Sequence, residues 1–534
     1  MKKFLVLLLF CIGILVAAFF FFFPSENGTG KIDIISRGKM NQSLIENTQK
    51  TTVLFKQFLK AEMKLELTRD IKLLLCSTQE EYTNVLAQEI HLPKDKAMRQ
   101  GKLSAGISND KLHMVALNGA ANKMQIPQNL IASAGHELFH QVQAQLSHNN
   151  DDKGLYWLKE GTADYIGAAL TEKSGFQSLA VWQLDTINIL RNADSYVSVS
   201  EISHIDLDSW TTLMEQEKYP YQVSDLMVCY LLSKQDPDKN FTSIADYFRL
   251  LNDVDDEKAF EQAFGIPLDQ FLKEFRTWFH NIMAAPATIE VIASADVAPE
   301  TINDVERSTK LTRQFFQNNW HSDLRTSQRL LLTNSKDEYL RLLKKEFGMH
   351  TETNGKDLQD SIWFLNTSST LIDTSALPDR HQKIFMTSTI MTKRFQTQLV
   401  SPDVLVTMSW LVNGSASVVA AHIVETAGLY TMEDYKYSWL NSLHKKTTLP
   451  YLSDLRSEQD WISATDKYGA DTVYTLSELA ALHLVEQYGF ASLHTWLETV
   501  KSTGNTEEAF TKVYGISSSQ YDLEFKDFLR KQAR

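Results

Sequence analysis

The stretch Trp157-Leu158-Lys159-Glu160-Gly161-Thr162-Ala163 returns about 250 residues later as Trp410-Leu411-Val412-Asn413-Gly414-Ser415-Ala416, and that return decides how the chain is organised. The repeat extends in both directions. Leu73-Leu74-Leu75 with Glu81-Tyr82 recurs as Leu330-Leu331-Leu332 with Glu338-Tyr339, while Ala259-Phe260, Gly265-Ile266 and Phe275 return as Ala509-Phe510, Gly515-Ile516 and Phe525. Matches kept in one order predict two tandem domains, at 43–283 and 301–534. A small-residue segment with Pro286 and Pro299 reads as a linker over 284–300, and 25–42 reads as a spacer.

Within the first copy, a charged helical pattern over Ser43 to Lys64 leads to a strand at Ile71–Cys76, a helix near Gln79 to Glu89 and an extended stretch at Leu112 to Leu117. From Pro127 onward the pattern is helical. Each copy is therefore expected to be a small sheet-containing lobe followed by a helical lobe, an α+β arrangement. The 534 residues, 43% of them hydrophobic, suffice for more than one core, and 21 Gly, 11 Pro and 3 Cys exclude collagen-like, disordered and disulfide-stapled classes. With 66 acidic against 53 basic residues, net -13, the chain lacks the basic excess of a general nucleic-acid binder.

Lys2 and Lys3 precede an unbroken apolar run from Phe4 to Phe23, long enough as a helix to cross a bilayer core of about 30 Å. Residues 1–24 are read as an uncleaved signal anchor, with the lysines cytoplasmic and the rest of the chain extracytoplasmic. Cleavage after Ala18 is the alternative and would release a secreted form. Cys76 and Cys229 read as buried thiols rather than a disulfide.

His136-Glu137-Leu138-Phe139-His140 lies in a segment where Leu130, Ala134, Leu138, Val142 and Leu146 recur every four residues, the mark of a helix with one apolar side. On that helix two imidazoles one turn apart can share a metal. Taken alone, the pentapeptide also fits polar residues on an exposed helix face. Glu160, twenty residues on, can supply a carboxylate as third ligand and leave a fourth position for water, an open coordination set. Asp164, one turn past Glu160, is suited to fix the tautomer of a ligating histidine. His113, His148 and His204 read as surface or packing residues.

The pair His136-Glu137-x-x-His140 and Trp157-Leu158-x-Glu160-Gly161-x-Ala163 resembles the gluzincin metallopeptidases, the class of thermolysin and the zinc aminopeptidases. The resemblance covers roughly residues 70 to 280. It implies one Zn2+ bound by His136, His140 and Glu160, Glu137 as general base, Asp164 as the partner of a ligating histidine, and peptide or protein substrates. Tyr221-Gln222-Val223-Ser224 resembles the aminopeptidase segment whose tyrosine stabilises the oxyanion, which gives that role to Tyr221; the same residue also fits a core tyrosine at a helix start. Gly119-Ala120-Ala121-Asn122 lacks the glutamate with which zinc aminopeptidases hold a free amino terminus.

Matching Gln396 and Gln398 to Gln141 and Gln143 puts Met391, Thr392 and Phe395 in the places of His136, Glu137 and His140; Asn413 and Ser417 replace Glu160 and Asp164. The second domain is thus expected to be metal-free. Two functions follow: a membrane-anchored zinc peptidase, or a catalytically silent binding or assembly protein built on a duplicated peptidase fold.

Overall fold

Ile32–Arg37 forms a strand, β1, inside the segment expected to be a spacer. Its alternating pattern lets it pair in parallel with Ile71–Cys76 (β2), Ile34 lying opposite Leu73. The computed structural model describes residues 30–349 and 362–532, so the expected anchor at 1–24 lies outside the described residues. Between β1 and β2 runs helix α1, Gln42–Phe58, started by Asn41, whose side chain accepts from the Ser43 N–H, and continued by a short wider turn at Leu59–Met63. After β2 comes helix α2, Gln79–Gln88. Two further strands, β3 at Gly106–Asn109 and β4 at Met114–Asn118, complete a four-stranded sheet of order β1-β2-β4-β3, parallel except for β3. The expected strand at 112–117 is thus β4, displaced by a turn; β3 is an addition.

The second sheet repeats the first. Ile289–Ala293 (β5), within the expected linker, pairs in parallel with Gln328–Thr333 (β6), Val291 opposite Leu330. Trp363–Leu365 (β7) and Ser369–Asp373 (β8) finish the order β5-β6-β8-β7. The linker and spacer are therefore corrected: both contain the edge strand that begins a domain. The fold is a mixed α+β arrangement, mostly helical, with two small sheets. The chain divides into two compact units, in the main between Met283 and Ala284.

The first unit's helices include α3 (Pro127–Leu146), α4 (Tyr156–Lys173), α5 (Leu207–Glu215) and α6 (Pro220–Ser233). The second has α7 (Pro299–Asn319), α8 (Arg380–Leu399), α9 (Ser409–Thr426) and α10 (Ala470–Tyr488). Helices α4 and α9 are buried around most of their circumference, which explains why neither has a polar face. A Cβ on Gly161 would sit 2.9 Å from the Ser224 carbonyl oxygen, and one on Gly414 would collide with the Ser477 carbonyl. Only glycine lets α4 touch α6, and α9 touch α10, at backbone distance. The apolar stretch Pro402–Thr426 is long enough to cross a membrane, but 72% of its most apolar window is buried within the protein, so core packing accounts for its composition.

The repeated tryptophans hold equivalent places. Trp157 stacks on Phe271 at 5.7 Å and contacts Phe260; Trp410 stacks on Tyr521 at 5.8 Å and contacts Phe510. Both indoles are fully buried. Trp157→Ala and Trp410→Ala should each destabilise the unit that carries them by about 3–5 kcal/mol, read as an earlier urea unfolding transition.

Candidate metal centre

Helix α3 turns His136 and His140 inward together, and α4 crosses it at Glu160. The Nε2 atoms of the two histidines lie 3.0 Å apart, and the Glu160 Oε2 is 3.6 Å from the first and 3.7 Å from the second. All three side chains are buried, and among the described residues they form a group that can hold a metal ion. The outer nitrogens settle the tautomers. His136 Nδ1 donates to Asp164 Oδ1 at 2.7 Å, and His140 Nδ1 donates to Gln143 Oε1 at 2.7 Å. The Gln143 amide nitrogen is already committed, donating to the Lys159 carbonyl at 2.8 Å and to Thr162 Oγ1 at 3.0 Å, so its oxygen must face the imidazole. Both Nε2 lone pairs therefore point at one another and at a carboxylate oxygen. With both rings neutral, three acceptors converge on one point with no donor among them, an arrangement that fits a cation.

For His140 and Glu160 the electrostatics agree with that assignment. Burial pulls the His140 imidazole down to about 4, keeping it neutral. Burial opposes charge on His136 as well, but the Asp164 carboxylate, close by and hydrogen-bonded, raises it well above the ordinary imidazole value, so without an ion this ring favours a second proton, which a bound cation would displace. For Glu160 the neighbouring imidazoles outweigh burial and hold the carboxylate to about 2. Glu137, on the same turn as the histidines, is pushed by burial up to about 7. Just ahead of Glu160, Lys159 forms a buried ion pair with Asp151 that fixes the start of α4.

The group opens into a cleft of about 640 Å³. Its wall includes β3, whose Gly106 lies so close to Glu137 that a Cβ would fall 2.6 Å from the Glu137 Cγ. Tyr221 lines the same cleft, its ring 6.1 Å from His136 and edge-on to Trp210. Tyr156, one turn before Glu160, also faces the cleft and packs on Trp210. All six residues singled out in the sequence are thus brought together. Gln143, Tyr156, Gly106 and Asp225 were missed. Only Gln143 left a signal, an amide three residues after His140 on the same helix.

In the second unit the helix register differs from the one expected. Gln396 Nε2 donates to the Val412 carbonyl and to Ser415 Oγ, as Gln143 does to Lys159 and Thr162. Gln398 bonds Arg325 N and the Asp323 carbonyl, as Gln145 bonds Thr68 N and the Glu66 carbonyl. Gln396 and Gln398 thus correspond to Gln143 and Gln145, and the positions of His136, Glu137 and His140 are held by Thr389, Ile390 and Lys393. Met391, Thr392 and Phe395 are fully buried core residues instead. Lys393 Nζ donates to Asn413, the counterpart of Glu160. Nothing replaces the imidazole N–H on Gln396, whose Oε1 is buried without a partner.

Comparison of the chain with protein-family models, with curated proteins and with solved structures finds no match.

The corrected register can be tested by grafting the ligands. Thr389→His with Lys393→His and Asn413→Glu should add one metal equivalent per chain on elemental analysis. Met391→His with Phe395→His in the same Asn413→Glu background should add none.

Proposed function

We propose that the first unit is a zinc metallopeptidase of the gluzincin type, held at a membrane by residues 4–23 with the rest of the chain extracytoplasmic. The second unit is its metal-free duplicate. The reading rests above all on the spacing of the three inward-facing atoms. A tetrahedral ion with bonds of about 2.0–2.2 Å places its ligand atoms roughly 3.3–3.6 Å apart, and the observed separations are 3.0, 3.6 and 3.7 Å. A two-imidazole, one-carboxylate set without a thiolate, leaving a position open toward a cleft, favours a catalytic over a structural zinc.

His136 Nε2, His140 Nε2 and Glu160 Oε2 would hold the ion. When bound, zinc supplies a Lewis acid for a peptide carbonyl and lowers the pKa of water. The remaining work falls to the chain. Glu137, between the two histidines and at the edge of the cleft, is placed to remove a proton from the attacking water and deliver it to the leaving amine. Tyr221, kept as a neutral phenol by burial, offers its hydroxyl to the developing oxyanion. The terminal strand β3 borders Glu137, so an extended peptide can align by adding backbone hydrogen bonds along it. This favours peptide or unfolded protein substrates. The silent binding reading fits the second unit, where a lysine and an asparagine stand in two ligand positions.

Purified full-length protein should contain one zinc and hydrolyse an unstructured protein. Glu137→Gln should keep the zinc while turnover falls by a factor on the order of 100 or more. Glu160→Gln should lose zinc affinity and activity together. If Glu137→Gln cleaved at the wild-type rate, the mechanism would be wrong.

The anchor has its own test in cell fractionation: the protein should sediment with membranes and retain its amino terminus. A processed, freely soluble main form would refute anchoring while leaving the peptidase reading intact.

A further inference from the structure

Helix α6 carries Asp225 one turn after Tyr221, and there it meets Asp164. The Asp225 side chain is buried and in hydrogen-bond contact with the Asp164 carboxyl, and its Oδ1 has no hydrogen-bond partner. Asp225 is buried with no donor to its carboxyl and lies against a second carboxylate, that of the half-buried Asp164, so ionising both is disfavoured and the pair holds a proton. Asp164 is the one committed as an acceptor, because His136 Nδ1 donates to it at 2.7 Å. Asp225 receives no such donor. The proton therefore belongs on Asp225, and burial beside Asp164 holds its carboxyl well above the usual carboxylate range.

We infer that Asp225 is a neutral carboxylic acid that donates to Asp164, so that Asp164 in turn holds His136 with its Nε2 turned toward the metal position. Asp225 is thus a positioning residue, acting on the metal through two hydrogen bonds. The inference rests on the metal-centre reading above. The chain of contacts runs from α6 through α4 to α3, tying all three helices to one imidazole. A related contact survives in the second unit, where Ser417 hydrogen-bonds Glu478 and burial pushes the Glu478 carboxyl up to about 7. Because that pair persists where the ligands are gone, loss of stability alone cannot reveal the role of Asp225. The test needs readouts that packing does not move.

The full chain in detergent provides two. In the first, zinc itself is the probe, titrated against a chromophoric chelator. Asp225→Leu should weaken zinc binding by about 10-fold or more, as losses of groups that orient metal ligands do. Asp225→Asn should stay within about threefold of wild type, because its amide N–H replaces the acid O–H as donor to Asp164. Wild-type affinity in Asp225→Leu, or equal losses in both variants, would overturn the inference. In the second readout, the infrared difference between wild type and Asp225→Asn at neutral pH should contain the C=O stretch of a protonated carboxylic acid. Its absence would also overturn the inference, and this measurement stands even if Asp225→Leu fails to fold. A wild-type protein that binds zinc but cleaves nothing would end the peptidase reading and leave the Asp225 inference standing.

Discussion

A single buried amide, that of Gln143, joins the packing of the first unit to its chemistry. Its nitrogen ties α3 to the backbone of α4 at Lys159, one residue before Glu160, while its oxygen accepts a hydrogen bond from the His140 Nδ1–H. A buried amide with both ends satisfied is strongly oriented, because turning it over would leave two polar groups unpaired. The helix crossing and the imidazole tautomer are therefore fixed by the same group. Everything else at the centre is arranged around that crossing: Glu160 enters from α4, Asp164 follows one turn on, and the glycine at 161 admits α6 with its tyrosine and aspartate.

The second unit separates the two duties of this amide. Gln396 keeps the nitrogen side, bridging α8 and α9 through Val412 and Ser415, but its oxygen has lost its donor. Packing and chemistry make different demands on a sequence, and here one amide retains the first after the second has gone. An orphaned acceptor costs roughly 1–3 kcal/mol when fully buried. The bridge to α9 has been kept despite that cost.

What could be read from the sequence was what repeats locally. His136, Glu137 and His140 share a helical turn, and Glu160 and Asp164 share another, so their common faces followed from periodicity. The strands β1 and β5 were hidden because a short edge strand owes its existence to a partner far along the chain. Ile32-Asp33-Ile34-Ile35 and Ile289-Glu290-Val291-Ile292 are themselves a repeat, masked by flanking Pro and small residues. The register of α8 failed for another reason. Glutamines stand at 141, 143 and 145 in one copy and at 396 and 398 in the other, so two alignments satisfy the letters, and only the backbone groups they bind distinguish them. Asp225 left no trace, since its meaning depends on where α6 crosses α4.

Lys393 has a bearing on how the two units depend on their surroundings. Its ammonium, lowered by burial to about 8, remains mostly protonated at neutral pH and bonds the residue that stands in place of Glu160. A charge carried on the chain is present from synthesis onward and cannot be titrated away by a chelator. A bound ion, in contrast, stabilises its host only to the extent that free ion exceeds the dissociation constant. On the proposed reading of the metal centre, scarcity of metal would soften the first unit and leave the second as firm as before, making the duplicate the part of the molecule whose shape is indifferent to supply.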